Sequence, residues 1–321
     1  MTDKHSLLSL YGKSPVYQLF LSLLIVLSVG VLLFSVFLLA GIFLFDIDLG
    51  LLGIPYAEVG GKDIAFLRYI LISQHISLFI VPAIIILYNM NPDHQSRLRY
   101  VKLPQIKEVI LVIILAFCIF PVTGFTGQLN SEMHFPDWLS GVEQWMTENE
   151  DNATRLFDLL ITTDTFWVML LNLLMIAVLP AIGEELIFRG VFQKILINLF
   201  RSGHLAVWVT AIVFSTLHFQ FFGFIPRFIL GLVFGYLFFW SGTIWLPVIS
   251  HFVNNAVPVI GTYIQGWEKI YSPLDITLWK QITGLPVPVI ISLVILLYFR
   301  NKSKKNEETE MNQSQLTNNL S

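Results

Sequence analysis

From Val16 to Phe45 the chain carries no charged side chain. A helix needs about 20 apolar residues to cross about 30 Å of hydrocarbon, and this run exceeds that. It also exceeds the roughly 7–15 residues of a cleavable signal peptide, so it predicts a retained first span. Seven more apolar stretches follow. The candidate spans are about 16–45, 64–88, 107–125, 165–190, 205–222, 226–240, 243–260 and 285–299. The pattern predicts an all-α, polytopic transmembrane helical bundle of about eight spans. Only 13% of the residues are charged, against roughly 25% in a soluble domain. Pro247, Pro258, Pro286 and Pro288 fall in or beside the last two stretches, where kinks or broken helices are expected.

The remaining charges give orientation. An even number of spans puts both termini on one side of the membrane. That side carries Lys4, Lys13, Arg97, Arg99, Lys102, Lys107, Lys194, Arg201, Arg300, Lys302, Lys304 and Lys305. The other carries Lys62, Arg68, Arg155, Arg227, Lys269 and Lys280. Basic residues collect inside, so both termini are expected in the cytoplasm and the chain in the plasma membrane. The net charge of −3 implies no nucleic-acid partner. The single cysteine, Cys118, cannot form an intramolecular disulfide and reads as a small buried hydrophobe.

Two polar segments stand apart. The outer loop at about 126–164 is acidic, and within it Trp138, Leu139, Val142, Trp145 and Met146 recur at helical spacing. It reads either as an interfacial helix guarding entry from the bilayer or as an amphipathic loop packed on its own protein. The tail 301–321 is polar and is expected to be disordered.

An ionisable group inside a span is a functional hypothesis by default. The second half of the chain concentrates such groups. Glu184 and Glu185 are adjacent carboxylates beside an apolar run and need a counter-charge. Arg189 follows Glu185 by four residues, on the same helix face. Glu184 points about 100° away and stays free to act as a base. His218 lies in another apolar stretch, and its ring nitrogens need partners. His251 and Asn255 are again four apart and face one way. They could donate to a developing oxyanion, hold a metal, or join helices. Helix rise puts Glu184 and His218 at similar depth, roughly 21–26 Å from the Arg201–His204 turn. His251 is too close to Thr243 for that layer unless the 241–243 turn is itself buried. Gly231 and Gly235 form a small-xxx-small face suited to close packing.

Competing protease signatures are missing. The sequence has no H-E-x-x-H, no G-x-S-x-G and no intramembrane aspartate pair, which disfavours zincin, serine and aspartyl readings.

Glu184-Glu185-x-x-x-Arg189, Phe214-x-x-x-His218 and His251-x-x-x-Asn255, in that order, resemble the CAAX protease and bacteriocin-processing family. That family includes prenyl-protein endopeptidases and bacterial Abi proteins. Gly231-Leu232-Val233-Phe234-Gly235-Tyr236 and Gly242-Thr243-Ile244-Trp245-Leu246-Pro247 also look like its linker between the second and third motifs. The resemblance covers about residues 165–260 and implies a catalytic membrane core there, while the apolar pattern leaves N-terminal spans and an outer loop over 1–164, a last loop and span over 261–300, and the tail. It implies an intramembrane protease acting on a membrane protein or peptide substrate within the lipid bilayer. Glu184 and His218 are then the water-activating residues, and His251 and Asn255 the oxyanion site. Glu185 and Arg189 are supporting residues. The family is often labelled metalloprotease, which leaves Glu184, His218 and His251 as candidate ligands of a divalent metal such as zinc. The other reading is a non-catalytic scaffold or bacteriocin-immunity protein that keeps the protease fold. A transporter is a third reading, unsupported by any repeat.

Overall fold

The computed structural model describes residues 10–47, 61–90, 101–265 and 284–319. Lys4, Arg97, Arg99, Lys269 and Lys280, used above for orientation, lie outside the described residues. Among the described residues the chain is helical and has no strand. The helices are α1 (Pro15–Phe45), α2 (Asp63–Met90), α3 (Ile106–Ser131), α4 (Ser140–Ile161), α5 (Phe166–Phe200), α6 (Gly203–Thr216), α7 (Phe224–Ser241), α8 (Trp245–Gln265) and α9 (Pro286–Asn319). Helices α1, α2, α3, α5, α7 and α9 contain runs long and apolar enough to cross a membrane. The protein is a multi-pass membrane protein of all-α class. The two expected spans outside that set are α6 and α8. Helix α6 has 14 residues, about 21 Å of rise. Helix α8 is long enough, but it carries His251, Asn254 and Asn255.

Helix ends follow local chemistry. Ser14 accepts the Tyr17 N–H ahead of Pro15 at the first turn of α1, where a missing N–H costs nothing. The Gln105 N–H donates to Glu108 at 2.9 Å, a capping box opening α3. Glu108 is buried at that end and pairs with Lys302 of α9. Ser202 caps α6 through the Leu205 N–H. Gly242, at φ 69°, ends α7 in the left-handed region that glycine enters without strain.

Helix α3 packs against α7, α8 and α9, while α5 packs against α2, α6 and α8. One core joins Val112 and Leu115 of α3 to Phe234 and Leu237 of α7 and Phe299 of α9. The N-terminal spans therefore share the core of the segment 165–260 rather than forming a separate body. Outward residues such as Phe20, Leu32 and Phe43 are exposed, which suits a lipid-facing surface.

Several expectations change. Over the described part of the tail α9 continues to Asn319. Its Lys, Glu, Gln and Met residues are good helix formers, and the preceding span supplies the costly nucleus. Pro247, Pro286 and Pro288 lie in first turns, where no helical bond is lost, and α8 also continues through Pro258. The span expected at 205–222 stops at Thr216, which puts His218 in a turn. Helix α8 runs past the boundary drawn at 260. Cys118 is free and only half-buried.

Gly231 and Gly235 are packing glycines. A Cβ on Gly231 would sit 3.0 Å from Ala211 Cα, and one on Gly235 would sit 2.9 Å from Val207 Cγ1. Helices α6 and α7 thus touch nearly backbone to backbone. Gly231→Leu should lower stability by about 1–3 kcal/mol through overpacking. Thermal unfolding of the purified variant in detergent checks this.

Candidate active site

The site is built on α5, whose helical ladder is interrupted twice. Leu173–Val178 and Leu186–Gln193 form π-helical turns on either side of Glu184 and Glu185. Such turns are uncommon and gather at functional sites. The second one carries Arg189 and Gln193 toward α7. Arg189 Nη2 donates to the Gly231 carbonyl and Gln193 Nε2 to the Gly235 carbonyl, both at 3.0 Å. The two glycines leave those carbonyls open, so one pair of residues serves packing on α6 and hydrogen bonding to α5.

Glu185 is fully buried and central. Its Oε1 accepts from Arg189 Nη1 at 2.9 Å and lies 2.9 Å from His251 Nδ1. Arg189 is also fully buried, with its guanidinium 4.8 Å from the Phe214 ring and 5.4 Å from the Phe234 ring. Phe234 stacks on His251 at 5.0 Å and 16°. The His251 ring is therefore fixed by a carboxylate on one edge and an aromatic face. With Nδ1 turned to Glu185, Nε2 faces Glu184 Oε2 at 4.0 Å. The Oε2 atom of Glu184 is buried with no hydrogen-bond partner.

His218 reaches the same place from a strained turn. Phe219 beside it has φ 53°, a conformation uncommon for a bulky residue. Three contacts hold the turn. Ser215 Oγ donates to the Phe224 carbonyl at 2.6 Å. Asn130 of α3 donates to the Phe221 carbonyl and accepts the Ile225 N–H. Arg227 donates to the Gln220 carbonyl at 3.0 Å and also to its side chain. His218 Nδ1 lies 2.7 Å from the Phe214 carbonyl, which makes Nδ1 the donor and leaves Nε2 as an acceptor.

Glu184, His218, His251 and Asn255 all line one cavity of about 930 Å³. The structure thus brings the four expected residues together. Glu185 and Arg189 stand behind them. Asn255 is partly committed, since its Nδ2 donates to the Ile176 carbonyl at 3.1 Å while its Oδ1 accepts from Asn254. One of its amide hydrogens stays available. The 241–243 turn is buried only at Thr243, while Gly242 is exposed. Thr243 and Ile244 are buried, and Thr243 Oγ1 and Trp245 Nε1 donate to the Lys102 and Val101 carbonyls.

The candidate metal ligands do not assemble into a centre. Among the described residues no three of His, Cys, Asp and Glu converge to hold an ion.

Helix α4 forms one wall of the cavity through Glu150, Ala153, Thr154 and Phe157. Trp145 packs on Phe221 at 5.4 Å, and Arg68 donates to the Leu160 carbonyl. Trp138 and Val142 are exposed. Burial pushes the Glu150 carboxyl above its ordinary value, partly opposed by Arg227 and the Phe222 N–H. The sequence reading missed Asn130, Glu150 and Arg227 as site residues, and also His75. His75 lines the cavity from the π-helical turn His75–Ile80, with a buried Nδ1 that has no partner. It sits in the candidate span 64–88, so the rule that flags ionisable residues inside spans could have found it.

Arg189→Met should leave the Glu185 carboxylate buried without its counter-charge. A loss of about 3–5 kcal/mol is expected, read as a drop in thermal unfolding temperature. A neutral double variant, Glu185→Gln with Arg189→Met, should recover part of that loss.

The family described as type II CAAX prenyl endopeptidase, Rce1-like, matches residues 165–257. An uncharacterized protein, YpbD of Bacillus subtilis (strain 168), is 28% identical over 90 residues, covering 27% of this chain and 43% of that protein. The chain therefore aligns with less than half the length of this relative. No solved structure matches. The matched segment spans all three motifs and every residue of the network around Glu185.

Proposed function

We propose that this protein is an intramembrane endopeptidase that hydrolyses peptide bonds of membrane-associated proteins or peptides. It sits in the plasma membrane with both termini in the cytoplasm. The observation that carries the reading is Glu184. Its Oε2 is buried without a partner, 4.0 Å from His251, in a cavity shared with His218 and Asn255.

The groups divide the work of hydrolysis. Glu184 takes a proton from a water, which His218 Nε2 helps to hold. The water oxygen attacks the scissile carbonyl carbon, and the carbonyl oxygen becomes an oxyanion. The free amide hydrogen of Asn255 donates to that oxyanion. His251, held at Nδ1 by Glu185, turns Nε2 toward the same oxyanion from beside Glu184. Donors fixed before reaction act strongly where water is scarce. The carbon–nitrogen bond then breaks, and Glu184 returns its proton to the leaving amine.

The test is cleavage of a membrane-peptide library by purified protein. Glu184→Gln should lower turnover at least about 10³-fold and His218→Ala about 10²-fold, at unchanged unfolding temperature. No cleavage by well-folded wild type, or equal cleavage by Glu184→Gln, would favour the scaffold or immunity reading.

A further inference from the structure

Arg227 is a cation that the hydrolytic arrangement leaves unused. It stands one turn into α7, and no other lysine or arginine lines the cavity among the described residues. Its guanidinium is fixed in advance. Nη1 donates to the Gln220 carbonyl at 3.0 Å, and Nη2 donates to the Gln220 side-chain oxygen. The space it fills exists because residue 223 is glycine, where a Cβ would fall 2.2 Å from Nη1. The turn beneath it is clamped by Asn130.

A guanidinium has more donors than these two contacts use. Among the described residues no carboxylate forms an ion pair with Arg227. Glu150 on the α4 wall, Glu184 and His218 line the same cavity. A cation held in a membrane cavity is costly unless it is paired. The fork geometry of arginine matches a carboxylate.

The position decides what that carboxylate belongs to. His251 stands 4.0 Å from Glu184 Oε2, whereas Arg227 lines the same cavity from α7 without forming an ion pair with Glu184. The anion seat is therefore offset from the reacting carbonyl but open to the same cavity. A peptide advances about 3.3–3.6 Å per extended residue, so a carboxylate one or more residues from the scissile bond can reach it.

We propose that Arg227 is a specificity-determining residue that binds a substrate carboxylate close to the scissile bond, from the chain end or from an acidic side chain. The proposal rests on the peptidase reading. Its test reads binding rather than cleavage, so either can fail alone.

The probes are dansyl-labelled palmitoyl-Ala-Leu-Val with a free carboxylate and the same peptide as a carboxamide. A second pair is palmitoyl-Ala-Glu-Val-amide and palmitoyl-Ala-Gln-Val-amide. Binding is measured to Glu184→Gln protein in phosphatidylcholine nanodiscs, where no anionic lipid competes. The anionic member of at least one pair should bind about tenfold more tightly. Preference in the first pair assigns the chain end, and preference in the second assigns the side chain. Adding Arg227→Gln should erase the preference between the anionic and neutral peptides, and the unfolding temperature of the variant checks that it is folded. Arg227→Lys should keep about threefold, as a point charge without the fork. Equal affinity within both pairs, or a preference that survives Arg227→Gln, overturns the proposal.

Discussion

Everything at the centre of this molecule depends on one buried carboxylate. Glu185 Oε1 meets Arg189 from its own helix and His251 from α8. Arg189 in turn reaches the Gly231 carbonyl on α7. Three helices are fixed by one network with no exposure at its core. A charge in this setting is tolerated only when paired and hydrogen-bonded. The adjacent Glu184 is thereby freed from a structural role and presented to the cavity. Two neighbouring carboxylates of one sequence thus have opposite fates, decided by the face on which each falls.

The cost of building the site is spread around it. Two π-helical turns break the regular ladder of α5. A bulky residue, Phe219, takes a left-handed conformation beside His218. Such conformations persist only where the surroundings over-determine them. Here the surroundings are Asn130, Ser215 and the Gln220–Arg227 contact. The close approach of α6 and α7 at Gly231 and Gly235 anchors the framework that holds the turn. Strain at the functional end is balanced by tight packing behind it.

Much of this was legible in the sequence, for physical reasons. Long apolar runs have few alternatives to helices, so each of the eight expected stretches is helical, in order, and six of them are long and apolar enough to span. The i, i+4 spacing of Glu185 and Arg189 is a contact rule, and the pair forms. The same spacing put His251 and Asn255 on one face, and both line the cavity. It did not show that His251 turns one nitrogen to Glu185, or that Asn255 holds the Ile176 carbonyl, because those partners are distant in sequence. Periodicity assumes a regular helix, so it missed the π-helical turns and placed His218 inside α6. Arg227 and Asn130 are single polar residues near span ends. Their partners become visible only once the 217–225 turn is folded. The polar tail was read from composition alone, without the helix that precedes and nucleates it.

The central claim is that Glu184 directs water onto a peptide bond. The most direct measurement is mass spectrometry of the products formed by purified protein with membrane peptides in ¹⁸O-labelled water. The account predicts new carboxyl termini that carry one labelled oxygen with wild type and are absent with Glu184→Gln. Labelled termini produced equally by both proteins, or none from well-folded wild type, would contradict it.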